Sequence, residues 1–343
     1  MAKKILVHTF LFCFSYGFYA QDFHFSQYNL VPFWLNPAMV AGTNDVDVGV
    51  IYRTQYTGVN NPYNTYGAFA DASIKKKRGK NSYFGLGLGF VQDNNQNLQY
   101  KSSLAALSLS YHLRITRNNT ISAGFQPFFF QKSMNYAGLK WGNQFDGSSY
   151  NSSLPTGESG TYSQQSKIDG SIGFNYQYSK GVHSSIVERA QKLQIGVSMF
   201  HLPFVHYSFY GSQETIYSRY GVNLSYTYKP ANSKVSVNPV LFFQKQGPAN
   251  EIIFGCNALF ILQEASAQQS FVKSSSLTAG ILYRVQDAII ITAGLNFEHF
   301  CFSFAYDVNS SHLITSTHSF GAVELCIRYR LNKGHWNAVA SSD

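Results

Sequence analysis

Charge is scarce in this sequence. Lys and Arg number 26 and Asp and Glu 17, so charged residues fill only 13% of its 343 positions, against roughly 25% in an average soluble domain. That argues against a soluble enzyme. Long hydrophobic runs are missing too. The stretch Ile5 to Phe18 is mostly apolar but short for a membrane-spanning helix, which needs about 20 residues, and a mean hydropathy of −0.15 is too polar for a helical membrane protein. Cysteine is nearly absent, with four in the chain. Cys256, Cys301 and Cys326 lie far apart and match no metal spacing, so neither a disulfide framework nor a zinc site is expected. There is no H-E-x-x-H, no C-x-x-C and no calcium-type run of carboxylates. No catalytic site, metal or cofactor is expected.

Aromatic and small polar residues stand where charge is lacking. The chain holds 24 Tyr, 29 Phe and 27 Gly. The formal net charge of +9 raises nucleic acid as a partner. However, the Lys and Arg residues are dispersed, no recognition helix accompanies them, and the one dense run, KKKRGK at Lys75 to Lys80, reads as a solvated turn. No nucleic-acid partner is expected. At the N-terminus, Lys3 and Lys4 followed by the apolar stretch read as a signal peptide over 1–20, with cleavage after Ala20.

From Val46 onward the sequence alternates with period 2, the signature of strands with two different faces. Leu107, Leu109, Tyr111, Leu113 and Ile115 share one face, and Ser108, Ser110, His112 and Arg114 the other. Near the C-terminus, Val323, Leu325, Ile327, Tyr329 and Leu331 oppose Glu324, Cys326, Arg328 and Arg330. The polar faces carry Ser, Gly, Asn, Gln and Thr rather than Lys and Glu. The apolar faces end in Tyr and Phe, as a lipid-facing girdle would. In lipid every backbone donor and acceptor must be paired internally, so strands can span only as a closed barrel. The predicted fold is all-β: a transmembrane antiparallel outer-membrane β-barrel over 46–331 with about 14 strands. It is preceded by an N-terminal plug or docking segment over 21–45 and followed by a tail over 332–343. Strand starts are expected near Val46, Thr65, Ser82, Ser103, Thr120, Ile168, Lys192, Tyr220, Val235, Glu251, Ser275, Ala288, Cys301 and Ser319. If the N-terminus is periplasmic, odd-numbered connections are external. The longest of them, Tyr136 to Lys167, suits either surface contact, a mobile loop or a lumen plug.

Three polar groupings on these strands invite a chemical role. Gly85, Gly87 and Gly89 in GLGLGF do not form a phosphate loop, because they alternate with Leu86, Leu88 and Phe90 on one strand. Facing inward, they leave room for a plug or a close backbone approach. His299, Ser303 and Asp307 can be drawn as a triad, but Ser303 and Asp307 point inward and His299 falls in a turn. Glu324, Arg328 and Arg330 project into the lumen, either as structural ion pairs or as charges that set ion preference.

The stretch FSQYNLVPFWLNPAMVAG, Phe25 to Gly42, is greasy and uncharged, and its prolines forbid a regular helix or central strand. It is expected to fold into the barrel mouth or lumen, with Phe25, Tyr28, Phe33 and Trp34 as anchors, a turn at Asn36-Pro37, and Gly42 freeing the chain to enter the first strand. Extended to Tyr56, this stretch resembles the start of the PorP/SprF family of Bacteroidota outer-membrane proteins. The matching pieces are Gln27-Tyr28, Asn36-Pro37-Ala38, Ala41-Gly42, and Tyr52, Arg53 and Gln55. The Tyr-Arg strand end at Tyr283-Arg284 and Ala305-Tyr306-Asp307 match the family's closing region.

The resemblance implies a role in type IX secretion, gliding motility or surface retention of secreted adhesins in the cell outer membrane. The implied partners are a secreted cargo's C-terminal domain, periplasmic or peptidoglycan-linked secretion components, and outer-membrane lipid. Two other classes compete. The polar inward faces suit a passive porin or uptake channel, and the His299, Ser303 and Asp307 proximity motivates a barrel enzyme.

Overall fold

The computed structural model describes residues 22–56, 62–74, 81–95, 99–135, 139–157, 164–181, 187–202, 216–264, 274–311 and 319–331. The expected signal peptide, the Lys75 to Lys80 run and the 332–343 tail lie outside the described residues.

Alternation builds the strands. They are β1 Val46–Gln55, β2 Tyr63–Ile74, β3 Ser82–Asn95, β4 Tyr100–Arg114, β5 Asn119–Met134, β6 Gln164–Lys180, β7 Ala190–Phe200, β8 Arg219–Lys229, β9 Val235–Gln246, β10 Ala249–Gln263, β11 Ser275–Arg284, β12 Ala288–Phe297, β13 Phe300–Asn309 and β14 Phe320–Leu331. Each pairs antiparallel with its sequence neighbour. β1 closes on β14 in a register from Val46 opposite Leu331 to Gln55 opposite Ala322. The barrel therefore has no free edge among these strands, as spanning lipid requires. We call the end where β1 begins the base and the opposite end the rim.

The connections at 135–163 and 201–218 both lie at the rim, and the short turns at 115–118, 230–234 and 298–299 lie at the base. Long loops are external in such barrels, which sets the rim outside. The parity is broken by tight rim turns at 247–248 and 285–287 and by long base connections at 181–189 and 264–274.

The outer face is as expected, with Leu86, Leu88, Leu107, Leu109 and Ile327 exposed. Paired rings mark both ends of this face. Tyr52 lies 5.1 Å from Tyr66 toward the rim, and Phe300 lies 5.2 Å from Tyr329 toward the base. The inner face differs from the sequence reading. It is not uniformly polar: Ile51, Phe69, Val91, Leu104, Phe128 and Phe130 point inward and are buried with Phe25, Val31, Phe33 and Trp34 in one apolar cluster. The reason is that the lumen on this side is filled with chain rather than water.

Filling changes what a lumen substitution costs. Leu109→Arg, on the lipid face, is expected to lose about 2–4 kcal/mol. On an open lumen wall Ser110→Arg would cost much less, but Ser110 is buried and its Oγ donates to Val40 O at 2.8 Å. Ser110→Arg should therefore be as damaging as Leu109→Arg. Ser225→Arg, on a wall that faces open lumen space, should be nearly silent. Denaturant unfolding of the three variants in detergent checks this, and equal losses for Leu109→Arg and Ser225→Arg would contradict the assignment of faces.

Candidate functional site: the N-terminal segment in the lumen

Residues 22–42 run inside the barrel from rim to base. Three short turns carry the segment: a 3-10 turn at Tyr28–Leu30, one α-turn at Pro32–Leu35 and a second 3-10 turn at Pro37–Met39. Pro32 and Pro37 each sit in a first turn, where the missing N–H costs nothing. Continuous helix is broken between them, as the prolines demand.

At the rim, Asp22 N donates to Gln246 Oε1 at 3.1 Å, and the Asp22 carboxylate meets His201 Nε2 at 2.9 Å. His201 Nδ1 lies 2.6 Å from Asp169 Oδ2, so the ring is held between two carboxylates. Burial disfavours a charged ring, but Asp22 and Asp169 outweigh it and push His201 up to about 9. Asp22 itself is lowered, because His201 and Arg219 overcome its burial. Beside it, the Arg219 guanidinium lies 3.8 Å over the Trp34 ring and 4.1 Å over Phe200, and donates to Trp34 O at 3.3 Å. Phe23 stacks on the same indole with centroids 4.0 Å apart.

This latch carries a pH dependence. His201 has its raised value only when folded, so its contribution is fully present below the unfolded value of about 6.5 and is lost as pH rises through about 9. The melting temperature of the detergent-solubilised protein should fall between those limits, and His201→Gln should flatten that fall. Parallel profiles for the two proteins across this window would refute the latch.

Next along the segment comes a buried charge cluster centred on Ser26. The Ser26 and Gln27 amides each donate to the Glu324 carboxylate at 2.9 Å. Ser26 Oγ donates to Asp307 at 2.7 Å and accepts from Arg53 at 2.6 Å and Arg284 at 2.7 Å. Arg53 pairs with Asp307 at 3.1 Å and Glu324 at 3.3 Å, and Arg284 with Asp307 at 3.1 Å and Asp287 at 2.8 Å. Glu251 lies 3.1 Å from Arg284 Nε, although the two are not aligned for a hydrogen bond. Burial, with Arg284 and Arg53 alongside, pushes His24 well below its ordinary value. Its neutral Nε2 sits 3.3 Å from Arg53 as an acceptor.

Toward the base the segment is fitted into the wall. Asn36 Oδ1 accepts from Ala38 N at 2.9 Å, and its Nδ2 donates to Phe174 O at 3.0 Å and Val197 O at 3.1 Å. Ser198 donates to Leu35 O at 2.9 Å. His112, stacked on Tyr83, reaches Val40 O at 2.9 Å. The inward glycines are the seats. A Cβ on Gly89 would stand 2.4 Å from the Phe33 ring, one on Gly87 2.6 Å from Val40, and one on Gly124 2.4 Å from the Pro37-Ala38 backbone. The left-handed residue before β1 is Ala41, with φ 55°. Gly42, expected to supply that freedom, is instead confined by space: its Cβ would meet Met39 O at 3.0 Å and His112 at 3.3 Å.

The structure brings most of the motif residues together. Gln27, Tyr28, Trp34, Asn36, Pro37 and Ala38 are buried in the lumen, Gly42 lies at its base end, and Tyr28 stacks on Phe242 at 4.6 Å. Arg53 is in the charge cluster, and Gln55 Oε1 lies 3.4 Å from its Nε. Tyr52 is apart, donating to Asn64 at 2.9 Å on the outer face. Of the lumen charges, Glu324 joins the cluster, Arg328 pairs with Asp47, and Arg330 donates to Asn296 at 2.6 Å. His299, Ser303 and Asp307 do not assemble. Ser303 bonds Gln27, His299 lies 3.1 Å from Arg330 O, and Asp307 is held by the two arginines. Sequence reasoning missed Asp22, Ser26, Asp169, His201 and Arg219. The described part of the long rim loop folds on itself: Gln144 accepts from Trp141 N at 3.2 Å and donates to Leu154 O at 3.2 Å.

Arg53, Arg284 and Asp307, more than 250 positions apart at the extremes, thus converge on one serine. The sequence matches the family described as "Type IX secretion system membrane protein PorP/SprF" over residues 17–329. The chain belongs to the PorP/SprF family. It is accordingly an outer-membrane protein of type IX secretion. No curated protein is significantly similar to this PorP/SprF member. Among solved structures, it is similar to a FadL homologue of Pseudomonas aeruginosa at 10% identity and a TM-score of 0.44, over 87% of this chain and 93% of that one. It is also similar to the TodX deltaS2S3 mutant monoaromatic hydrocarbon channel at 9% identity and a TM-score of 0.47, over 88% and 92%. BamA of Haemophilus ducreyi lacking POTRA domains 1–3 matches at 9% and 0.38, over 83% and 70%.

Proposed function

We propose that this barrel is a non-conducting binding component of type IX secretion. In this reading it holds secreted cargo, through the cargo's C-terminal domain, and periplasmic or peptidoglycan-linked parts of the machine, in service of gliding motility or surface retention of adhesins. The observation that supports binding over passage is the N-terminal segment. It occupies the lumen from rim to base and is tied by Ser26 to β1, β11, β13 and β14. A water-filled porin lumen would be obstructed by such a segment. The long rim connections, including the self-folded stretch 139–157, then serve as the contact surface, in keeping with the functional bias of loops on a rigid scaffold. Affinity purification of the full chain from native outer membranes should retain a secreted protein or secretion components. A barrel that comes away clean under mild detergent, with the rim loops intact, would count decisively against this role.

A further inference from the structure

The segment fills one side of the lumen and roofs a chamber on the other. Against β7 to β14 lies a cavity of about 500 Å³, within the range of small-molecule sites. Residues near the base ends of their strands line it, among them Lys192, Asn238, Asn296 and Arg330, so it lies toward the base.

Its chemistry is one-sided. No Asp or Glu lines it. Arg328 is neutralised by Asp47, which leaves Lys192 and Arg330 as the uncompensated charges among the described lining residues. They stand on β7 and β14, seven strands apart either way around the ring, and so on opposite walls. Between them stand Asn223, Asn238, Asn257 and Asn296. These amides are pre-oriented: Asn238 donates to Thr227 at 2.7 Å, and Asn257 accepts from Thr292 at 3.1 Å. Each keeps further donor or acceptor capacity for a ligand. The ceiling is set by Gln27, whose Oε1 accepts from Ser303.

We propose that this chamber is a binding site for an anionic, hydroxyl-rich small molecule of about one or two sugar rings. The amides and hydroxyls match a polyol's mixed donors and acceptors. Lys192 or Arg330 takes the negative group, and the low-dielectric walls focus that positive field. A simple inorganic anion would leave the amide ring unused, and a neutral sugar would leave the cations uncompensated. The site does not depend on the secretion role proposed above.

Isothermal titration of the full chain in detergent tests this with glucuronate and glucose 6-phosphate as the two anionic arms and with glucose and acetate as controls. One-to-one binding of either anionic sugar is expected, roughly tenfold or more tighter than either control, and the stronger arm identifies carboxylate or phosphate as the recognised group. Lys192→Gln and Arg330→Gln together should weaken it by about tenfold or more while leaving the melting temperature in place. Asn238→Leu, which leaves both charges, should also weaken it. Absence of binding in both anionic arms would overturn the proposal. So would glucose or acetate binding as tightly, or binding unchanged in the double variant.

Discussion

Deleting Phe25–Met39 is expected to turn a silent barrel into a conducting one. The intact protein in a planar bilayer should stay at baseline, because the segment's apolar cluster with Phe69, Leu104, Phe128 and Phe130 blocks one side of the lumen and its residues Gln27 to Asn29 roof the chamber on the other. The latch of Asp22, His201 and Arg219 crosses the rim. Removing the segment leaves a closed ring of strands whose hydrogen bonding does not depend on it, so the wall persists and stepwise openings appear. A subtler variant separates loss of the segment from its displacement. Gly89→Leu puts a side chain where the Phe33 ring lies, 2.4 Å from the position of a Cβ. Close-packed interiors do not absorb such overlap without moving a neighbour. Gly89→Leu should produce intermittent openings, while Leu88→Ala on the outer face of the same strand should not. Intact protein that conducts as well as the deletion would end the view that the segment blocks the lumen.

Asp307→Asn is expected to be the most destabilising conservative change in the wall, by about 3 kcal/mol, because it removes the counter-charge that two buried guanidiniums share and leaves each with only its remaining carboxylate partners. Among the described residues, Asp307 is the one carboxylate that accepts from Ser26, Arg53 and Arg284 together. Without it, each guanidinium loses its shared counter-charge. Ser26 Oγ also exchanges a charged acceptor for a neutral amide oxygen, a weaker one. The segment should loosen with the wall, so limited proteolysis between Phe23 and Leu35 should appear in the variant before unfolding does. Arg53→Met combined with Asp307→Leu should lose less than the sum of the two single changes, since neither leaves the other stranded. Additive losses, or an Asp307→Asn barrel as stable as the parent, would mean the cluster is decorative.

The fold was legible because lipid imposes a strict period. Strand starts expected at Val46, Ser82, Val235, Ser275 and Ala288 fall where β1, β3, β9, β11 and β12 begin, and the largest displacement, at β6, is Gln164 in place of Ile168. The lumen was less legible, for a physical reason. Alternation reports only that two faces differ, and it assigns Phe128 and Phe130 no partner until another chain segment fills the space beside them. The glycine stripe of β3 did signal room inside, and the motif residues Arg53, Arg284 and Asp307 did mark strand ends. Nothing in one dimension placed the three on Ser26. Asp22, His201 and Asp169 carry no pattern at all, being single residues on three separate pieces of chain.

Ser26 touches Arg53 on β1 and, through its amide, Glu324 on β14, the two strands whose pairing closes the ring. The seam and the segment therefore share one fastening. A ring zipped shut first would have to admit the segment past arginines and carboxylates already paired with one another. A ring that closes around the segment meets no such obstacle. Closure of β1 on β14 and seating of the segment are thus expected to be coupled, with Ser26 as the contact they share.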